Sequence, residues 1–306
     1  MSRVYEALQK ANLAKKNGEA KSVVTAPTNG SSIASSAVEA YAPSSETGLM
    51  FPENGSAANG HAKSWRLWLE ELAFGWDLRR YKNYPIISLE KESPAAEQYK
   101  ILREQLKRMR SERGMRLFAL TSAVKQDGKT MVSVNLAAAI ALGFEEQVLL
   151  IDADLRSPDV HHYFGLPRGP GLTDYLTSTH GKIDDYVRET FLPGLKILTA
   201  GSAFDLTSEL LAKERMKTLM AEIRAAFPEH QILIDTSPML STADPMILSR
   251  EVEGVIVVVR AGKTPRNNLL KAIQDLNSDK IVGIVLNGAE LGTFRKYYHY
   301  YSSSSS

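Results

Sequence analysis

From residue 83 onward, short aliphatic and β-branched runs alternate with stretches whose apolar positions recur every three or four residues. The first pattern predicts strands and the second helices, and their alternation predicts a mostly parallel β-sheet flanked by helices. Strands are expected over residues 117–121, 148–152, 195–199, 232–235, 255–259 and 281–286, and helices over 129–142, 208–227, 243–250 and 265–276. One more helix is expected after Ser93, which suits an N-cap, with Pro94 in the first turn. Four of the strands end in polar residues or glycine where a helix or loop begins. In open parallel sheets that edge is where ligands sit.

Ahead of this domain, which spans 83–295, the pattern changes. Residues 1–16 have helical spacing, with Val4, Tyr5, Leu8 and Ala11 on one side. Residues 17–62 are rich in Ser, Ala, Gly, Pro and Asn, and such a stretch buries too little apolar surface to offset chain entropy. It is expected to be a largely disordered linker. Over 63–82, Trp65, Trp68 or Leu69, Leu72 and Trp76 recur at helical spacing. That amphipathic helix has two readings: packing on the domain's own surface, or an anchor at a membrane surface or membrane-bound partner. A short flexible tail over 296–306 holds Tyr297, Tyr298, Tyr300 and Tyr301 and ends in serines. Four tyrosines in five residues, with no core beside them, suit a mobile acceptor segment better than buried rings.

Composition narrows the chemistry. With no cysteine in 306 residues, disulfides, thiolate metal sites and cysteine nucleophiles are excluded. A formal charge of +2 gives no argument for nucleic acid. No apolar run approaches the ~20 residues of a membrane helix, and no apolar core of a secretory signal follows the first residues. A cytoplasmic protein is expected.

The candidate chemistry begins after the strand at 117–121. Ser122-Ala123-Val124-Lys125-Gln126-Asp127-Gly128-Lys129-Thr130 reads A-x-x-x-x-G-K-T between a strand and a helix. Such a loop cradles phosphate with backbone N–H groups and a helix N-terminus. Val124, Lys125, Gln126, Asp127, Gly128, Lys129, Thr130 and Met131 are the expected nucleotide-binding residues. Lys129 would reach the β- and γ-phosphates and the Thr130 hydroxyl would bind Mg²⁺. The fold class is thus P-loop NTPase-like. Ala123 stands where glycine is usual, which requires a negative φ there.

Two further strands end in acids: Val148-Leu149-Leu150-Ile151 runs into Asp152-Ala153-Asp154-Leu155-Arg156, and Ile232-Leu233-Ile234 into Asp235-Thr236-Ser237-Pro238. Mg²⁺ prefers few carboxylates plus phosphates, which makes Thr130, Asp152 and Asp235 the candidate metal set. Lys129, Asp152 and Asp154 are the candidate catalytic residues, with Asp154 placed to meet an incoming hydroxyl as general base. Arg156 has two readings, a phosphate contact or a structural ion pair. Asn287 likewise has two, an adenine contact or a turn.

These segments resemble the bacterial tyrosine kinases of exopolysaccharide and capsule synthesis, whose three motifs are called Walker A, Walker A′ and Walker B. Arg156-Ser157-Pro158, Gly171-Leu172-Thr173-Asp174-Tyr175-Leu176, Ser208-Glu209-Leu210-Leu211, Arg260-Ala261-Gly262-Lys263-Thr264 and the tyrosine tail look like the same family, over about 86–301. Ser2-Arg3-Val4-Tyr5-Glu6-Ala7-Leu8 looks like the soluble autokinases of exosortase-linked clusters. The resemblance implies a non-specific protein-tyrosine kinase that uses ATP and Mg²⁺ to phosphorylate its own Tyr297, Tyr298, Tyr300 and Tyr301. It implies a ring-like homo-oligomer working in trans and a membrane-bound polysaccharide co-polymerase that activates it at the inner face of the membrane. A tyrosine phosphatase is also implied, and no nucleic acid. The ring contact would be Glu97, Lys100 and Arg103, where the family has E-x-x-R-x-x-R; Lys100 departs from that pattern and lacks arginine's planar fork. Ser237-Pro238 replaces the usual Pro-Pro. A partition-type P-loop ATPase that switches partners is the alternative. It would carry a signature lysine where this chain has Val124, and it leaves the tail without a role.

Overall fold

The computed structural model describes residues 22–26, 84–90, 93–178, 180–276 and 278–289. They fall in one unit, built from residues 1–28 and 84–306; residues 29–83 make a second unit that lies outside the described residues. The expected helices over 1–16 and 63–82 and the tail over 296–306 also lie outside them, as does the linker apart from Ser22–Ala26.

Eight strands form one sheet: β1 (Ser22–Ala26), β2 (Leu117–Ser122), β3 (Gln147–Asp152), β4 (Val187–Glu189), β5 (Leu195–Leu198), β6 (His230–Asp235), β7 (Gly254–Arg260) and β8 (Ile281–Asn287). Their spatial order is β1-β8-β7-β2-β6-β3-β5-β4. Every pairing is parallel except β4 on β5. Strands β2 and β6 are buried along their whole length. Covered on both faces by helices, they need the continuous aliphatic runs the sequence provides. The six expected strands are all present. Two more are not in the expectation: the three-residue β4, and β1, where Val23, Val24 and Thr25 let a short piece of the Ser/Ala-rich region pair with β8 from Ser22↔Gly283 to Ala26↔Asn287.

The helices are α1 (Pro94–Arg113), α2 (Lys129–Ala141), α3 (Val160–Tyr163), α4 (Leu172–Thr177), α5 (Thr207–Leu211), α6 (Glu214–Ala226), α7 (Asp244–Leu248) and α8 (Arg266–Asp275). In α1, Ala95, Tyr99, Leu102 and Leu106 are buried at three- and four-residue spacing, the signature of one face laid on the core. Ser93 stands at its N-cap without a side-chain capping bond, and Gly114 ends it at φ 68°. Helix α2 follows the phosphate loop and is buried continuously from Val132 to Ile140, so it lies inside the α/β layer. The helix expected over 208–227 is two. Continued in phase from Leu211, it would bring Glu214 and Thr218 to the core. Lys213 instead turns extended, at φ −68° and ψ 153°. Helix α6 then restarts with Met216, Leu219, Met220 and Ile223 inward. The expected helix over 243–250 shortens to α7, and α3 and α4 arise in stretches given no element.

The carboxyl ends of β2, β3, β6 and β8 meet at one edge. There the Ala153 amide donates to the Asp235 carbonyl at 2.8 Å, and the Thr236 amide to the Leu120 carbonyl at 3.0 Å. These main-chain links fix three strand ends against one another.

Candidate functional site

Burial defines the loop between β2 and α2. Ala123 is fully buried and is not among the residues with positive φ, as its replacement of glycine requires. Gln126 (φ 66°) and Gly128 (φ 89°) do take the left-handed region, where a non-glycine residue is uncommon. A Cβ on Gly128 would lie 2.1 Å from the Asn287 amide nitrogen, so glycine is needed twice over, for conformation and for space.

Two elements far away in sequence hold the loop. Thr264 Oγ1 donates to Asp127 Oδ1 at 2.7 Å, and the Val124 amide donates to Asp127 Oδ2 at 3.3 Å. Arg260 Nη1 donates to the Gln126 carbonyl at 3.2 Å, and Asn287 Nδ2 to the Asp127 carbonyl at 2.9 Å. Burial, more than any neighbour, keeps the Asp127 carboxyl above its ordinary pKa, and Thr264 and Arg260 counter it. Asn287 is fully buried and its Oδ1 has no partner. It braces the phosphate loop and keeps one acceptor free.

At the mouth of α2, Lys129 Nζ lies 2.5 Å from Asp154 Oδ2 and 3.6 Å from Asp235 Oδ2. Thr130 Oγ1 donates to Asp235 Oδ2 at 2.7 Å, and Ser133 Oγ to Asp235 Oδ1 at 2.8 Å. Ser133 was not a candidate; it sits one helical turn after Lys129 and therefore shares its face. Asp152 behaves differently. Its Oδ1 accepts from the Asp154 amide at 3.2 Å, and its Oδ2 from the Asp159 and Val160 amides at 3.2 and 3.1 Å. It therefore folds the loop after β3 around itself.

Three carboxylates and one ammonium thus share a dry centre: Asp152 and Asp235 are fully buried and Asp154 is 4% exposed. Burial, reinforced by Asp235, drives the Asp152 carboxyl well above its usual range. Burial likewise raises Asp235, against the pull of Lys129 and the two hydroxyls. For Lys129 burial acts downward, but Asp235 and Asp154 prevail and its pKa is raised. A centre with this excess of negative charge fits a divalent cation. The glycine-tight loop with its left-handed turns fits phosphate oxygens. Among the described residues no group of three or more His, Cys, Asp or Glu is placed to hold a metal by itself. Thr130 and Asp235 match the small protein share that Mg²⁺ takes beside phosphate and water.

The remaining candidates resolve as follows. Arg156 pairs with Asp244, Nε to Oδ2 at 3.8 Å, and Nη2 donates to Ser208 Oγ at 3.3 Å, which is the ion-pair reading. Asp244 is fully buried and also accepts from Ser208 at 2.5 Å and from Ser237 at 3.3 Å. Lys125 is exposed. On α1, Glu97 and Lys100 pair with each other at 2.9 Å. Arg103 turns to Glu104 and to the Ala139 carbonyl at the end of α2, at 3.1 Å. Thr264, Arg260 and Asp244 were missed as site residues. Their partners lie 137, 134 and 36 positions away, so no local pattern marks them.

No family model matches the chain. It is 33% identical over 223 residues to the tyrosine-protein kinase YwqD of Bacillus subtilis, covering 72% of this chain and 92% of that protein. It is 36% identical over 210 residues to the putative tyrosine-protein kinase EpsB of Ralstonia solanacearum, covering 68% of this chain but only 27% of EpsB. Among solved structures it resembles the kinase domain of the Escherichia coli tyrosine kinase ETK, with a TM-score of 0.62 and 29% identity, over 72% of this chain and 87% of that one.

Proposed function

The chain belongs to the bacterial tyrosine-protein kinase family, and from that premise we propose that it is an ATP-dependent protein-tyrosine autokinase acting on Tyr297, Tyr298, Tyr300 and Tyr301. The observation that carries this is the position of Lys129, its ammonium 2.5 Å from Asp154 and 3.6 Å from Asp235, with Thr130 on that same Asp235 oxygen. Bound ATP–Mg²⁺ would supply the phosphoryl group and a cation to offset its charge. The loop from Val124 to Met131 would hold the phosphates, Thr130 and Asp235 the metal, and Asp152 would fix the loop behind them. Catalysis of phosphoryl transfer is mostly positioning and charge neutralisation.

The pairing of Lys129 with Asp154 adds a condition. While Asp154 Oδ2 holds the ammonium it cannot take the proton of a tyrosine hydroxyl. Drawing Lys129 onto phosphate would free that carboxylate as general base. Nucleotide binding and base activation would then be one event, made from two residues of this chain.

We read the wider role by family as control of exopolysaccharide or capsule synthesis. The partners would be other copies in a ring-like oligomer with transfer in trans, a membrane-bound polysaccharide co-polymerase and a tyrosine phosphatase. No helix among the described residues is long and apolar enough to cross a membrane. By family, recruitment to the inner face would come through a partner. The test is incubation of the purified chain with ATP and Mg²⁺, followed by mass spectrometry of the tail. Phosphate is expected on at least one of the four tyrosines. Release of free phosphate with an unmodified tail would favour the partition-type ATPase, and no turnover at all would overturn both.

A further inference from the structure

Among the described residues five large apolar side chains are exposed: Ile101, Phe144, Phe204, Leu206 and Met246. Three of them gather at one corner. Phe204 (37% exposed) and Leu206 (59%) lead into α5, Met246 (41%) stands on α7, and those two helices pack on each other. Isolated exposed apolar residues need no explanation, but a group beside a reactive centre does.

This corner is wired to the catalytic edge. Ser208 of α5 donates to the buried Asp244 of α7 at 2.5 Å. Ser237, two residues beyond Asp235, donates to the other oxygen of Asp244 at 3.3 Å. Arg156, two residues beyond Asp154, donates to Ser208 at 3.3 Å. The apolar rim is thus held in register with the two acids that flank Lys129. The exposed acids Asp205 and Glu209 lie on the same stretch, while the charge of Arg156 is already met by Asp244.

We propose that this corner is the docking surface for the C-terminal segment over residues 293–301. The inference rests on the reading of that segment as the phosphoryl acceptor. Phe294 and the four tyrosines offer rings to Phe204, Leu206 and Met246, and Arg295 and Lys296 meet Asp205 and Glu209. β8 ends at Asn287, whose amide touches the phosphate loop, so the described chain comes to its end at the same edge. Rings seated on the rim would leave one hydroxyl at a time to enter the cleft. That lets a single surface serve several tyrosines in turn.

The absence of cysteine makes a direct test simple. Full-length chains carrying Ala203→Cys with Ser303→Cys keep every proposed contact and all four tyrosines. A control chain pairs Ser303→Cys with Ser111→Cys, at the far end of α1 and on the opposite edge of the sheet. Under mild oxidation the first pair should crosslink at least tenfold faster than the control, and equal rates would overturn the proposal. Independently, Leu206→Ser with Met246→Ser in the full chain should slow tail phosphorylation at saturating ATP by about tenfold or more, with affinity for a fluorescent ATP analogue unchanged. An unchanged rate would also overturn it. Selective crosslinking in a chain that never forms phosphotyrosine would leave the docking surface standing and remove the kinase reading instead.

Discussion

Two ion pairs in this molecule have similar chemistry and different consequences. On α1, Lys100 and Glu97 meet at 2.9 Å with both side chains 47% exposed. At the mouth of α2, Lys129 and Asp154 meet at 2.5 Å with exposures of 11% and 6%. The first pair is solvated, screened and balanced one to one, and such pairs contribute little. The second sits where Asp152 and Asp235 add two more carboxylates, so its single cation is outnumbered in a low-dielectric pocket. Distance does not separate structure from chemistry here. Desolvation and unequal charge count do, and both are set by where the strands of a parallel sheet end.

The comparison breaks most visibly if Lys129 is removed. Lys129→Met should lower tail phosphorylation by at least ~10³-fold, since a positioned cation is lost from the transferring phosphate. The fold should survive, because a carboxyl already biased toward its neutral form can take up a proton in place of the lost ammonium. Phosphotyrosine blots with circular dichroism decide it, and near-normal blots would end the phosphate-loop argument. Asp154→Asn should cost roughly 10²–10⁴-fold in kcat. Because Lys129 is no longer held back, affinity for ATP should stay level or rise. A fall in ATP affinity with kcat preserved would make Asp154 a binding residue and not a base.

The brace behind the loop predicts smaller effects. Thr264→Val removes the hydroxyl that donates to Asp127 and accepts from the Arg260 amide at 2.8 Å. Leaving a buried carboxylate short of a donor costs about 1–3 kcal/mol, readable by denaturant unfolding together with weaker nucleotide binding. The buried acids also predict a pH dependence of the nucleotide-free protein. Burial and Asp235 raise the Asp152 pKa, so the native state holds that proton more tightly than the unfolded chain. The stability it contributes is complete below the ordinary carboxylate pKa and is lost as pH rises through the raised one. Unfolding curves against pH should therefore favour the natural chain over Asp152→Asn progressively as pH falls. Identical pH slopes would show that Asp152 is not the group concerned.

Much of this was readable in advance, for a physical reason. Strands β2, β3, β6 and β7 are aliphatic runs because both faces are covered, β8 is an aliphatic run that is half-buried, and the Gly128-Lys129-Thr130 signal stands just where one strand meets a helix. The acids at positions 152, 154 and 235 follow from the same logic of strand ends. What sequence did not disclose depends on partners distant in the chain. Thr264 and Arg260 belong to a stretch recognisable by resemblance, yet their bonds to the phosphate loop need the fold to exist. The break between α5 and α6 carries neither proline nor glycine; it is set by a shift in the phase of buried residues. Strand β1 is three β-branched residues in a low-complexity setting, and pairing with β8 overrides that composition.

The exposed pair on α1 predicts the smallest energy and still discriminates. Reversing Lys100 to Glu places it against Glu97 in water, and the folded monomer should lose no more than ~0.5 kcal/mol. Arg103 differs, since its guanidinium also donates to the Ala139 carbonyl at 3.1 Å and covers the end of α2. Part of any Arg103→Glu effect would therefore be structural. If this face joins copies of the chain, Lys100→Glu alone should shift particle size toward monomer in light scattering while the unfolding midpoint of each chain barely moves. If the pair is only a solvated face, neither quantity changes, and the ring must be held elsewhere. A variant that loses stability without changing size would contradict both accounts, because nothing at this pair is buried deeply enough to support the fold.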